Sequence, residues 1–111
     1  YPDTVFYHRL KKDQRGWSKT ALINKRRQLG LYVYYDATYL PNFIQWKFLE
    51  EGHYVTGLEP ANCLVEGRSV EKKKGTLFYL NPGESQEIHI EIGLLTSIKA
   101  IEEIQSELEN F

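Results

Sequence analysis

Three places along this 111-residue chain hold side chains able to do chemistry. The first is Glu59, in the segment Tyr54-Val55-Thr56-Gly57-Leu58-Glu59-Pro60-Ala61-Asn62-Cys63. A carboxylate there can act as a general acid or base, a role that typically contributes ~10²–10⁴-fold to a rate. A glutamate before a proline is also what an ordinary solvated strand end looks like. The second place is Glu87-Ile88-His89-Ile90-Glu91, whose two carboxylates and imidazole share one face of a strand. Neighbours at that spacing stand roughly 6.5–7 Å apart. That is too far for one ion without further ligands, so a solvated face is expected there and no metal. The third is Cys63, which has no base beside it in the sequence and reads as a small buried filler.

These side chains must be held by strands. Thr4 to Leu10, Trp17 to Asn24 and Leu29 to Tyr35 are strand-like, separated by a polar turn ending at Gly16 and the charged corner Lys25-Arg26-Arg27. Leu31, Val33 and Tyr35 on one face and Tyr32 and Tyr34 on the other are all bulky, as expected of a strand covered on both sides. After Pro41, Ile44, Trp46 and Phe48 alternate with Gln45 and Lys47, which marks one face on the core and one facing water or ligand. Glu51-Gly52 turns the chain into His53 to Glu59. Period-2 geometry puts His53, Val55, Gly57 and Glu59 on one face, where Gly57 leaves the surface beside Glu59 open. Pro60, unable to donate a ladder hydrogen bond, is expected to end that strand near a sheet margin.

Beyond it, residues 62–69 read as irregular and Glu71-Lys72-Lys73-Lys74-Gly75 as a loop tip. Leu77 to Leu80 and Glu87 to Leu95 read as the last strands, joined by the turn Asn81-Pro82-Gly83-Glu84, with Ile88, Ile90 and Ile92 facing inward. The period then changes. Ile98, Ile101, Ile104, Leu108 and Phe111 recur at helical spacing, an amphipathic helix with Ser97 placed to cap it. About seven antiparallel strands and one C-terminal helix make an all-β sandwich or barrel, with no internal domain boundary across 1–111.

Composition narrows the function classes. Fourteen basic residues against fifteen acidic ones leave a formal charge of -1, which does not suit a nucleic-acid or anionic-membrane partner. No apolar run approaches the ~18 residues of a membrane helix. A single cysteine excludes an internal disulfide and favours a reducing, cytoplasmic setting. The chain starts at Tyr1 and contains no methionine, so it is expected to begin inside a longer gene product.

The ordered set Leu40-Pro41, Gln45-Trp46-Lys47, Tyr54 to Asn62, Glu66-Gly67-Arg68 and Leu80-Asn81-Pro82-Gly83-Glu84-Ser85 resembles an uncharacterised bacterial branch of the aldose-1-epimerase (galactose mutarotase-like) superfamily. The resemblance runs from about Val5 to the final strand. It implies the C-terminal portion of that family's antiparallel β-sandwich, and a sugar or sugar derivative as ligand. It also implies that Leu58-Glu59 is the pair carrying the catalytic base. The general acid, a histidine on an earlier strand, is expected upstream of Tyr1 in the same protein, while His8 matches a later segment and is read as non-catalytic. The better-known mutarotases follow the glutamate with a Thr-Gln step, where this chain has Pro60-Ala61-Asn62.

The implied chemistry is anomer interconversion without a cofactor. A base takes the anomeric hydroxyl proton, an acid protonates the ring oxygen, the ring opens, the C1–C2 bond rotates, and closure gives the other anomer. Trp46 is a candidate platform for a pyranose face, or else simply a core residue beside Ile44 and Phe48. Gln45 and Asn62 are candidate hydroxyl partners. A carbohydrate-binding sandwich without catalysis is the alternative, and homo-oligomerisation is left open.

Overall fold

The computed structural model describes residues 4–111. Its elements run β1 (Thr4–His8), β2 (Trp17–Asn24), β3 (Leu29–Asp36), β4 (Asn42–Glu50), β5 (His53–Ala61), α1 (Arg68–Lys74), β6 (Ile90–Leu95) and α2 (Ile98–Glu109). The chain forms two compact units. One takes the residues up to Arg9 and Tyr39–Glu87; the other takes Leu10–Thr38 and Ile88–Phe111.

The first unit contains an antiparallel sheet in the order β1-β4-β5. β4 and β5 are a hairpin closed by Glu51-Gly52, with Glu50 opposite His53. Gly52 sits at φ +81°, a left-handed conformation that costs a residue without a side chain little. From that turn the pairing runs unbroken to Asn42 opposite Ala61. Pro60 therefore lies inside the ladder, opposite Phe43, and does not end the strand at Glu59. β5 is the margin of the sheet, where a residue lacking an N–H is tolerated. Phe43 and Ile44 are buried, while Trp46 and Phe48 are half-buried.

The second unit contains an antiparallel sheet in the order β2-β3-β6. The corner between β2 and β3 is held by Asn24, whose Oδ1 accepts from the Arg27 N–H at 3.1 Å. The central strand β3 buries Val33 and Tyr35, with Leu31, Tyr32 and Tyr34 half-buried. α2 covers one face of this sheet. Leu95, Ile101 and Ile104 are buried there against Ala21, Ile23, Tyr32, Ala100 and Leu108. The Ser97 hydroxyl accepts from the Ala100 N–H at 3.1 Å, the cap expected from its position before the apolar repeat. Gly93 lets the Tyr32 ring lie across β6, where any Cβ would collide with it. The Tyr32 hydroxyl then reaches Glu91 Oε2 at 2.7 Å.

The all-β class, antiparallel sheets and C-terminal helix are as the sequence predicts, but, besides the strand end expected at Pro60, three local expectations are overturned. Arg68–Lys74 is a helix, so Glu71-Lys72-Lys73-Lys74 is no loop tip. Leu77 to Leu80 lies in irregular chain, which leaves six strands among the described residues. A strand needs a ladder partner as well as suitable residues, and among the described residues these four have none. The turn at 81–84 does form, with the Glu84 N–H on the Asn81 carbonyl at 2.9 Å. Finally, Ile88, Ile90 and Ile92 are 43%, 49% and 70% exposed rather than buried, although Ile90 and Ile92 share their face with the buried Tyr35 and Val33 opposite them. Pairing with β3 turns Gly93 and Leu95 towards α2, so alternation sends Ile90, Ile92 and Leu94 to the other face. No helix among the described residues is long and apolar enough to cross a membrane.

Candidate functional site

Glu59 is the last acidic residue of β5, opposite Ile44 in β4, which is in turn opposite Tyr7 in β1. Two residues back, Gly57 is opposite Trp46, and Trp46 is opposite Val5. Directly opposed residues share a face of an antiparallel sheet. Glu59, Gly57, Ile44 and Trp46 therefore form one contiguous patch. Trp46 is stacked against Phe48 on the same face, with ring centroids 6.1 Å apart and planes inclined by 23°.

The space above Gly57 is not open, as expected, but taken by the neighbouring carboxylate. A Cβ at position 57 would stand 3.1 Å from Glu59 Oε2 and 3.3 Å from its Cδ. The Glu59 side chain is exposed yet folded back over the glycine towards the Trp46 end of the patch. The absent side chain at 57 allows that conformation.

Gln45 and Trp46 are adjacent in β4 and so point to opposite faces. Gln45 shares its face with Leu58 and Phe6, away from Glu59. There the His8 Nε2–H donates to Gln45 Oε1 at 3.1 Å, and the His8 ring lies 6.2 Å from Phe6 and 6.1 Å from Phe43. The fold thus brings Trp46 to Glu59 and takes Gln45 to a histidine–aromatic cluster instead.

Asn62 is half-buried, one residue past the end of the β5 ladder. Cys63 beside it is a free, half-buried thiol. The chain that follows is anchored by a residue the sequence reading passed over, Glu71 in α1, which is only 2% exposed. Its Oε1 accepts from the Leu64 N–H at 3.1 Å and the Thr76 hydroxyl at 2.5 Å, and its Oε2 accepts from the Glu66 N–H at 3.2 Å. The Thr76 hydroxyl, helped by the Leu64 and Glu66 amides and Lys74, holds the Glu71 carboxyl below its ordinary value against the opposing pull of burial. One sequence signal pointed to the helix: Gly75 after three lysines, a common helix ending. Gly75 is left-handed at φ +75°, with its N–H on the Lys72 carbonyl and the Thr76 N–H on the Glu71 carbonyl.

In the second unit, His89 and Glu91 have partners of their own. The His89 ring stacks 6.4 Å from Trp17, and Glu91 accepts from Tyr32. Among the described residues, no group of three or more His, Cys, Asp and Glu side chains is placed to hold a metal ion.

Comparison with solved structures finds a Klebsiella pneumoniae protein, provisionally assigned as an aldose 1-epimerase, at a TM-score of 0.92 and 23% identity. The match covers 98% of this chain and 29% of that one, so the chain spans less than a third of its relative's length. The fold is thus the aldose-1-epimerase-like one that the ordered motifs implied. No curated protein matches the chain. The family model described as Domain of unknown function (DUF4432) matches residues 1–94.

Proposed function

The chain belongs to the family Domain of unknown function (DUF4432), and from that premise we propose that it forms part of a protein that binds an aldose and interconverts its anomers. Glu59 is the base that takes the anomeric proton, and Trp46 offers its ring to the sugar's C–H-rich face. Asn62 meets a hydroxyl. The acid that protonates the ring oxygen comes from a histidine elsewhere in the same protein, and the free thiol of Cys63 suits a cytoplasmic setting.

The observation that carries this reading is the carboxylate of Glu59 folded over Gly57, on the same sheet face as Trp46, in a chain with the epimerase fold. A carboxylate within reach of a flat apolar ring is what a pyranose requires: the ring packs face-on while one hydroxyl meets a base. In the complete protein, Glu59→Gln keeps the shape and the sugar contacts but removes the proton acceptor. Anomer exchange should fall by about 10²–10⁴-fold, the usual share of a positioned acid or base, with sugar binding retained. Exchange measured by NMR or polarimetry at an unchanged rate rejects the assignment.

Carbohydrate binding without catalysis is the second reading, favoured by Pro60-Ala61-Asn62 in place of the Thr-Gln step. It predicts that the wild-type protein binds aldoses without accelerating anomer exchange.

A further inference from the structure

Glu71 is a buried carboxylate that the proposed chemistry does not use, and its partners are not those of a surface helix. Arg68–Lys74 is seven residues long, begins after Gly67 without a side-chain cap, and buries no residue but Glu71. So short and polar a helix has little stability of its own. The carboxylate links three separate stretches of chain: the 64–66 loop, the helix, and Thr76 beyond it. Lys74 adds an outer tie, its Nζ 3.0 Å from Glu66 Oε2.

What this bracing positions follows from the chain between Glu59 and Leu64. Ala61 is the last ladder residue of β5, paired with Asn42. Leu64 is the first residue whose amide is bound by Glu71. Only Asn62 and Cys63 lie between these two anchors, so the path of the backbone at Asn62 is set from both ends. The upstream anchor is the strand that carries Glu59. The downstream anchor is Glu71.

We infer that Glu71 is a positioning residue, fixing Asn62 relative to Glu59 through the Leu64 and Glu66 amides. The inference rests on the sugar site proposed above, since Asn62 matters only if it meets the ligand. The two carboxylate oxygens are both acceptors, which is why glutamate is needed. In Glu71→Gln, one oxygen becomes an NH₂ group that must face either the Leu64 and Thr76 donors or the Glu66 amide, so one anchor of the loop becomes donor against donor.

The test is a double-mutant cycle in the complete protein, with KM and kcat for anomer exchange read against a panel of aldoses. Amide hydrogen exchange at Leu64 and Glu66 is followed alongside. Glu71→Gln should expose one of these amides and raise KM by about tenfold, the equivalent of one well-placed hydrogen bond, with kcat within about twofold. Asn62→Ala should raise KM similarly, and adding Glu71→Gln to it should change KM little further, because coupled residues are non-additive. An equal rise from Glu71→Gln in both backgrounds shows a general structural role and overturns the inference, as does an unchanged KM in Glu71→Gln when Asn62→Ala raises it. If the wild-type protein neither binds nor exchanges any aldose, the sugar reading itself has failed, and the positioning role falls with it.

Discussion

The two helices are held in place by opposite physics. α2 runs for twelve residues with an apolar stripe, and Ile101 and Ile104 are buried with Leu95 against the β2-β3-β6 sheet. α1 runs for seven, has no apolar residue buried, and is held by hydrogen bonds to the carboxylate of Glu71. Apolar burial is non-directional and tolerates small shifts of the helix. A carboxylate meeting three donors works only in one geometry, because each donor left unmet is a desolvated polar group without a partner. The difference suits their surroundings: α2 covers a sheet, whereas α1 fixes the loop that follows the candidate base.

The comparison can be broken at its apolar end first. Ile101→Ala removes three buried carbons from the α2 contact and should cost about 2–5 kcal/mol in denaturant unfolding. A cost under about 1 kcal/mol would show that α2 is not anchored by burial. Acid should separate the helices next. The Glu71 carboxyl titrates below its ordinary value of 4.5 when folded. Its contribution is therefore fully present above the unfolded value and is lost as pH falls through the folded one. The titratable group packed with Ile101 and Ile104 is Tyr32, whose hydroxyl is raised above its ordinary value by its hydrogen bond to Glu91 and stays protonated in acid. Hydrogen exchange followed from pH 6 downwards should show the Leu64 and Glu66 amides opening before that of Ile104. Simultaneous loss, or loss beginning well above 4.5, would remove the distinction. The smallest effect belongs to the cap: Ser97→Ala should cost about 1 kcal/mol, localised to the first turn of α2 by exchange at Ala100.

How far these features could be read in advance depends on whether local pattern or remote partners created them. The α2 stripe and its Ser97 cap are legible because a helix covering a sheet repeats its apolar residues at helical spacing. α1 has no such repeat. Its one buried residue is a glutamate among lysines, and nothing in Arg68 to Lys74 says that Leu64, Glu66 and Thr76 will meet it. For the candidate site, alternation alone correctly puts Gly57 and Glu59 on one face. It also shows that Gln45 and Trp46, as neighbours in a strand, cannot both face Glu59. The tight Glu51-Gly52 turn extends that reading to Trp46 opposite Gly57, because a hairpin's turn sets the register of its strands. Leu77 to Leu80 shows the limit from the other side, with strand-like residues but no ladder among the described residues.

By itself, the sequence determined which residues alternate within each strand, where the Gly52 turn lies, and the apolar face of α2. Each of these is a property of neighbours a few positions apart, governed by backbone periods of two or about 3.6. Only the tertiary structure decided that the Glu59 carboxylate rests on Gly57, that Gln45 bonds His8, and that a buried Glu71 braces the chain beyond Asn62. Those depend on which polar groups find partners once water is removed. A hydrogen bond between remote residues leaves no period in the sequence that carries it.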